Sequence, residues 1–265
     1  MKNQVEYFYD LTGNQESPML VFLHGFMGCL ADWETVTAGL SKKRRCMVVD
    51  LPGHGRTVVG QESDYTMESC AAEIVKILDR LSVPKAGVVG YSMGGRLALF
   101  LAVHYPDRFN KVVLESASPG LATEQERKDR IAQDKKLAGQ IGCMAIEEFV
   151  EQWYRMPLFA ALDKDSDEFR AMYYRRLEND PHNLGLSLRM MGTGAQPSLW
   201  ERLGAIEADV LLIVGQHDIK FTGIARQIAE RCRSARIVIV DGTGHNVHFE
   251  NPDEYVKQVS LFLES

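Results

Sequence analysis

In the first half of the chain runs Val88-Val89-Gly90-Tyr91-Ser92-Met93-Gly94-Gly95, an apolar segment that ends in the pattern G-x-S-x-G. It passes directly into Arg96-Leu97-Ala98-Leu99-Phe100-Leu101-Ala102, which is rich in good helix formers. A strand, a tight turn and a helix in this order are typical of a nucleophile elbow, which presents one serine on a strained turn. Glycines flank the serine because side chains there would collide with the neighbouring strand and helix. The segment therefore predicts Ser92 as a nucleophile.

The length and composition of the chain indicate one large α/β domain. It has 265 residues, of which 45% are hydrophobic and 25% charged, as is ordinary for a globular protein. The net charge of −6 argues against a nucleic-acid partner, which would require a basic face. No apolar run approaches the roughly 18–20 residues of a membrane span, so no membrane partner is expected. The segment 1–7 also lacks the apolar region of a secretory signal.

The cysteines are odd in number, widely spaced and free of any C-x-x-C pattern: Cys29, Cys46, Cys70, Cys143 and Cys232. This usage predicts reduced thiols in a cytoplasmic protein, with no zinc site.

Strands and helices alternate along most of the chain, which predicts a mostly parallel sheet with right-handed crossovers and helices on both faces. An antiparallel strand is expected over 5–11, and buried strands are expected over 19–23, 46–50, 111–115, 210–214 and 236–240, besides the elbow strand. Helices are expected over 32–40, 67–81 and 252–263 and directly after Ser92.

Between Leu121 and Pro197 the strand signal disappears and only helical, charged and aromatic segments remain. We interpret residues 121–197 as a helical cap inserted into a core made of 1–120 and 198–265. Such a cap would lie over the carboxyl ends of the strands, where open α/β sheets place their ligands.

Two late loops supply partners for Ser92. Asp218 follows the strand ending at Val214, and His245 follows the strand ending at Val240. A serine hydroxyl needs an imidazole to take its proton and an acid to orient that imidazole. The order Ser92, Asp218, His245 is that of α/β hydrolases. His248 is the weaker candidate for the base, and Glu115 is the fallback acid; His104, His182 and His217 are expected to lie outside the site.

An oxyanion hole is expected at the loop His24-Gly25-Phe26-Met27-Gly28. The backbone N–H of Phe26 would combine with that of Met93, the residue after the nucleophile. His24 and His54 are interpreted as structural residues that hydrogen-bond within their own turns. Backbone N–H donors stabilise the oxygen of an enolate as readily as that of a tetrahedral intermediate. A triad with an oxyanion hole therefore does not by itself prove hydrolysis.

Four motifs carry a family resemblance in the predicted core: H-G-F-M-G (24–28), D-L-P-G-H-G (50–55), G-Y-S-M-G-G-R (90–96) and G-H-N-V-H-F-E-N-P (244–252). The predicted cap adds S-P-G-L (118–121), E-R-K-D-R-I-A-Q-D (126–134), W-Y (153–154), R-R-L (175–177) and M-G-T-G-A-Q-P-S-L-W (191–200). With these motifs the chain resembles the 2-succinyl-6-hydroxy-2,4-cyclohexadiene-1-carboxylate synthase (MenH) family of menaquinone biosynthesis.

The resemblance implies a lyase on a hydrolase scaffold. Members of this family eliminate pyruvate from 2-succinyl-5-enolpyruvyl-6-hydroxy-3-cyclohexene-1-carboxylate without added water. Ser92 with His245 would then be the base and Asp218 its orienting acid. No metal or organic cofactor is implied, and the partner is a small tricarboxylate; we expect a monomer or a weak homo-oligomer.

The resemblance also implies substrate-binding residues, namely Tyr91, Arg96, Arg130, Trp153 and Arg176. Arginine suits a tricarboxylate because its guanidinium binds a carboxylate through two parallel hydrogen bonds.

Simpler interpretations of these residues remain open. Arg130 is four residues before Asp134, which suits an ordinary helix pair. Arg96 could pair with a carboxylate of the scaffold, and Trp153 could simply pack. Arg175 and Arg176 point about 100° apart on a helix, so at most one is expected to face the pocket. A serine hydrolase with the same triad, or a non-enzymatic receptor, is the alternative to the lyase.

Overall fold

The computed structural model describes residues 5–265. Most of the segment 1–7, on which the expectation about a secretory signal rests, lies outside these residues. Within them, no helix is both long and apolar enough to cross a membrane.

A seven-stranded sheet runs through the described residues in the order β1-β3-β2-β4-β5-β6-β7. Only β1 is antiparallel to its neighbour, and all other pairs are parallel. This confirms the mostly parallel sheet predicted from the alternation of elements. The strands are β1 (Tyr9–Thr12), β2 (Met19–Leu23), β3 (Arg45–Val49), β4 (Ala86–Tyr91), β5 (Phe109–Glu115), β6 (Asp209–Gly215) and β7 (Ala235–Val240).

The first strand starts later than the predicted 5–11. Glu6 pairs with Val58 in an isolated antiparallel bridge, and the N–H of Phe8 donates to Thr57 Oγ1 at 2.9 Å. The segment before Tyr9 therefore finds its partners in the loop after β3 rather than in the sheet, which is why the strand itself is short.

Helices cover both faces of the sheet because successive strand residues point to opposite sides. One face is covered by α2 (Met67–Arg80), α3 (Met93–His104) and α8 (Ile219–Arg231), and the other by α1 (Glu34–Leu40) and α10 (Pro252–Glu264). On β2, Val21 and Leu23 pack on the first of these faces, and Leu20 and Phe22 pack on the second. Both faces of the central strands are thus sealed from water.

The segment between β5 and β6 contains helices and no strand, as the sequence predicted. Its helices are α4 (Glu124–Ile141), α5 (Ile146–Tyr154), α6 (Asp167–Leu177) and α7 (Pro181–Met191). They share an apolar cluster of their own, which includes Phe149, Tyr154 and Leu184 and also takes in Met27 from the loop after β2. We call these four helices and the loops between them the cap; its boundaries at 121 and 197, and its description as an insertion, stay a prediction. A short helix, α9 (Val247–Glu250), links the loop after β7 to α10.

Candidate active site

The tight turn after β4 holds Ser92 in a strained backbone conformation. Its φ is 49°, in the left-handed region that side-chain-bearing residues avoid at a cost of about 1–3 kcal/mol. A Cβ at Gly90 would collide with the carbonyl of Gly94, and one at Gly94 would collide with the carbonyl of Leu23. The N–H of Ser92 donates to the carbonyl of Glu115 at 2.8 Å, which fixes the turn against β5. The serine is therefore held at the carboxyl edge of the sheet.

The structure brings Ser92, Asp218 and His245 together. His245 Nδ1 lies 2.6 Å from Asp218 Oδ2, and its Nε2 lies 3.3 Å from Ser92 Oγ. An ionised carboxylate only accepts hydrogen bonds, so we assign the ring proton to Nδ1. The lone pair of Nε2 then faces the serine hydroxyl, which is the arrangement that a general base requires.

Two backbone N–H groups adjoin the serine without a protein partner. Among residues 5–265, neither the amide of Phe26 nor that of Met93 donates a hydrogen bond to another protein group. Met93 is the first residue of α3, where N–H groups have no acceptor within the helix. Both residues line the cavity that contains Ser92. Both N–H groups are therefore available as donors, and their role as an oxyanion hole stays a prediction.

A cavity of about 220 Å³ lies between these groups and the cap. Ser92 and His245 line it from the core, and Trp153 and Met191 line it from the cap. A second cavity, of about 40 Å³, also touches Ser92 and His245. On this measure a cavity that holds one water molecule has about 10–15 Å³, so the second cavity has room for only a few waters, whereas the first has room for an organic substrate.

Arg96 lies in the wall of the larger cavity and is 8% exposed. Its Nη1 donates to the carbonyl of Met191 at 2.9 Å and to Gln196 Oε1 at 3.1 Å. Burial, together with the nearby charge of Arg130, lowers the pKa of Arg96 to about 10, so the guanidinium is still charged at neutral pH. No carboxylate in the described part of the chain lies within ion-pair distance of it. The scaffold pairing suggested by the sequence is therefore absent among residues 5–265: the hydrogen-bond partners of Arg96 are neutral, and Asp134 acts on its pKa only from beyond ion-pair distance.

Arg130 combines both interpretations that the sequence left open. Its Nε donates to Asp134 Oδ1 at 2.7 Å, as expected of residues four apart on α4. The same side chain lines the larger cavity, 36% exposed. The ion pair leaves part of the guanidinium free for a ligand.

Arg176 lies elsewhere, in the wall of the smaller cavity. Its Nη1 and Nη2 donate to the two carboxylate oxygens of Asp32 at 3.0 and 2.7 Å, and its Nε donates to Tyr154 Oη at 3.1 Å. Arg175 reaches Asp32 Oδ1 at 3.3 Å and does not line either of the two cavities. Of the two neighbours, only Arg176 therefore faces the site, as predicted, but its charge is neutralised by Asp32.

The two predicted aromatic residues differ in position. Tyr91 lies under the site, with its ring 5.4 Å from that of His245, and lines only the smaller cavity. Trp153 lines both cavities and packs against Phe26, with ring centroids 5.2 Å apart. Trp153 thus packs and also faces the ligand space.

The competing candidates have other partners. His248 Nδ1 lies 2.7 Å from Glu115 Oε2, and both side chains are buried, so these two residues pair with each other and not with Ser92. His24 accepts the N–H of Leu51 at Nε2 and bonds the carbonyl of Gly25 through Nδ1. His54 bonds the carbonyl of Pro52.

His104, His182 and His217 are exposed. The structural roles expected for the histidines outside the site therefore agree with the structure.

Sequence reasoning missed several residues that complete the site. Asp32 is 144 positions from Arg176, and Gln196 is 100 positions from Arg96, so no local pattern connects these pairs. Glu250 accepts hydrogen bonds from the backbone on both sides of His245. Its place in the motif G-H-N-V-H-F-E-N-P was the available signal.

Comparisons with known proteins agree with this geometry. Residues 18–141 match the family model of the alpha/beta hydrolase fold. The chain is 30% identical over 257 residues to the 2-succinyl-6-hydroxy-2,4-cyclohexadiene-1-carboxylate synthase of Salmonella agona (strain SL483), covering 96% of each chain. It is 40% identical over 266 residues to a Bacillus subtilis (strain 168) protein that carries the same name provisionally, covering 98% of this chain and 96% of that protein.

A solved structure leads to the same result. The structure of MenH from S. aureus matches with a TM-score of 0.92 and 30% identity, covering 100% of this chain and 98% of that one. The resemblance stated from the motifs is thereby confirmed over nearly the full length. The chain belongs to the 2-succinyl-6-hydroxy-2,4-cyclohexadiene-1-carboxylate synthase family of α/β hydrolases.

Proposed function

We propose that this protein is a carbon–oxygen lyase of menaquinone biosynthesis. It eliminates pyruvate from 2-succinyl-5-enolpyruvyl-6-hydroxy-3-cyclohexene-1-carboxylate and gives 2-succinyl-6-hydroxy-2,4-cyclohexadiene-1-carboxylate. The observation that supports this best is Arg96. A buried guanidinium with only neutral partners, in the wall of the cavity that contains Ser92, suits a carboxylate-bearing ligand. A hydrolase for neutral esters gives no reason to keep such a charge there.

The reaction starts with removal of a proton next to the succinyl ketone. Ser92 Oγ takes this proton as His245 Nε2 accepts the hydroxyl proton, and Asp218 stabilises the imidazolium that forms. The ketone oxygen becomes an enolate and accepts hydrogen bonds from the N–H groups of Phe26 and Met93. The electron pair then expels the enolpyruvyl oxygen from the ring, and the leaving group departs as the enolate of pyruvate. This enolate takes up one proton on carbon to give pyruvate, which balances the proton that His245 gained.

The carboxylates of the substrate are held by Arg96 and by the free part of Arg130. Trp153 covers the ring from the cap side. Arg176 with Tyr91 forms the floor of the site, where the charge of Arg176 is already shared with Asp32. In this proposal the residues that carry out the reaction lie in the core, and the residues that bind the substrate lie in both the core and the cap.

The test is incubation of the protein with the tricarboxylate substrate. Pyruvate is followed through a coupled dehydrogenase, and the new conjugated diene is followed by its absorbance. We expect the two signals to rise together in equal amounts and to vanish in Ser92→Ala. Turnover of simple esters without any pyruvate from the tricarboxylate would favour the serine hydrolase alternative and contradict the lyase.

A further inference from the structure

The carboxylate of Glu250 accepts hydrogen bonds from the backbone on both sides of His245. Glu250 Oε2 accepts the N–H of Gly244 at 2.7 Å, and Glu250 Oε1 accepts the N–H of Asn246 at 3.1 Å. These are the peptide groups immediately before and after the triad histidine. Glu250 itself ends α9, where its N–H donates to the carbonyl of Asn246 at 2.9 Å. The side chain and the backbone N–H of Glu250 thus both bond to the main chain next to His245.

The loop around His245 is closely packed, and its N–H groups have no other acceptor among the described residues. A Cβ at Gly244 would lie 2.8 Å from the Cβ of Ala161, so the loop runs close beneath the cap with no room for a side chain at that position. Among the described residues, Glu250 is the sole acceptor for the N–H groups of Gly244 and Asn246. Neither group would therefore keep a protein partner if the carboxylate were removed.

From this geometry we infer that Glu250 is a positioning residue for the general base, which fixes the main chain on both sides of His245 so that Nε2 faces Ser92. A charged acceptor makes stronger hydrogen bonds than a neutral one, so the ionised carboxylate is the form that suits this role. Burial raises the pKa of Glu250, whereas the hydrogen bonds from Gly244 and Asn246 lower it and so favour the ionised form; smaller effects come from Glu115, which raises the pKa, and from His245, which lowers it. The inference rests on the proposed role of His245 as the base, and on no feature of the tricarboxylate.

A purely structural role for Glu250 makes a different prediction. If the carboxylate only stabilised the fold, its loss would lower the thermal midpoint and leave the chemistry of correctly folded molecules unchanged. If it positions the base, folded variants lose kcat while substrate binding stays the same, because Gly244 and Asn246, which donate to its side chain, do not line the larger cavity. Misplacement of a catalytic group by about 1 Å can cost about 100-fold in rate.

The experiment compares wild type, Glu250→Gln and Glu250→Asp, with Asp253→Asn as the matched control. Asp253 is exposed and lies three residues further along the chain. Ser92 is titrated with a fluorophosphonate, which bonds Oγ to phosphorus and releases fluoride while the hydroxyl proton passes to His245. This labelling rate reports activation of Ser92 by His245 and needs no natural substrate. Pyruvate release then gives kcat and KM separately.

We expect Glu250→Gln to lower both the labelling rate and kcat by about 10- to 100-fold with KM within about twofold of wild type. Its thermal midpoint identifies folded protein; if it does not fold, Glu250→Asp, which keeps the charge but shortens the reach, carries the same expectation at a smaller size. Rates equal to those of Asp253→Asn in folded Glu250 variants would overturn the inference. Failure of wild type to label at Ser92 would overturn the base role itself, whereas normal labelling without pyruvate release would contradict only the lyase.

Discussion

Arg176 and Asp32 form a buried ion pair with two parallel hydrogen bonds between the cap helix α6 and the loop after β2. Nη2 lies 2.7 Å from Oδ2 and Nη1 lies 3.0 Å from Oδ1, and the side chains are 5% and 9% exposed. Because the pair connects a helix from between β5 and β6 to the loop after β2, and lines the same small cavity as Ser92, it links the position of these helices to the integrity of the site.

Removal of one partner should destabilise the protein strongly. Arg176→Met leaves the carboxylate of Asp32 buried without its main counter-charge, so we expect the free energy of unfolding in urea to fall by about 3–5 kcal/mol. The double variant Arg176→Met/Asp32→Asn should recover part of this loss. Arg170→Met on the same helix is the control, because Arg170 is exposed, and its effect should stay within about 0.5 kcal/mol. Equal effects of the two arginine variants would contradict the importance of the pair.

The same pair predicts that the free energy of unfolding decreases at acid pH. Burial alone raises the pKa of Asp32, but Arg176 and, less strongly, Arg175 lower it from 3.8 to about 2. A carboxyl whose pKa is depressed by folding stabilises the protein above its unfolded pKa, and this contribution is lost as the pH falls through the folded value. The shift corresponds to about 2 kcal/mol. Between pH 4 and pH 2, wild type should therefore lose about 2 kcal/mol more than Asp32→Asn in urea unfolding; parallel curves would exclude the depressed pKa.

The strain at Ser92 predicts a separation of stability from activity. Glycine tolerates a φ of 49°, so Ser92→Gly should raise the free energy of unfolding by about 1 kcal/mol. It should also lower pyruvate release by at least about 1000-fold because the hydroxyl is lost. Ser82 is the matched control: its φ is 55°, its side chain is exposed, and it lines neither of the two cavities beside Ser92. Ser82→Gly should give the gain in stability at full activity, and retention of more than about a tenth of the rate by Ser92→Gly would refute its proposed role.

The sequence predicted the fold and the triad because both depend on local patterns. Apolar runs end in polar loops on the same edge of a parallel sheet, and this places Asp218 and His245 near Ser92 without any knowledge of distances. It also predicted that the cap is helical. It could not predict which arginines of the site remain free, since their partners are remote: Arg176 of the cap meets Asp32 across 144 positions, whereas Arg96 of the core donates only to neutral acceptors.

The role of Glu250 was missed for a related reason. A glutamate at the end of a short helix is ordinary, and only the folded loop shows that its two oxygens accept hydrogen bonds from the N–H groups on either side of His245. The start of β1 was misplaced because the bridge between Glu6 and Val58 depends on the path of a loop, which carries no periodic signal.

The thiols predict a simple test of the packed fold. Cys143 is exposed, whereas burial raises the pKa of Cys29 and Cys46 to about 11 and that of Cys70 to about 12, and Cys232 is buried. Because the thiolate is the reactive form, only Cys143 should react quickly with a disulfide reagent at neutral pH. We expect one fast equivalent from native protein, five after unfolding, and none from native Cys143→Ser. Fast reaction of any thiol in native Cys143→Ser would contradict the protection of the other four.

Arg96 and Arg130 predict how the substrate is held. Arg96→Ala removes a charge that has no carboxylate partner among residues 5–265, so it should lower kcat/KM for the tricarboxylate by about 2–3 kcal/mol, or about 30- to 150-fold. Arg130→Ala should cost less, because its guanidinium is shared with Asp134 and is 36% exposed. Lys128→Ala on the same helix is the control, since Lys128 is exposed and pairs only with Glu124. The ranking Arg96, Arg130, Lys128 follows from burial and from the charge left unpaired; the reverse ranking would mean that the substrate enters from the outer face of α4 and does not reach the wall beside Ser92.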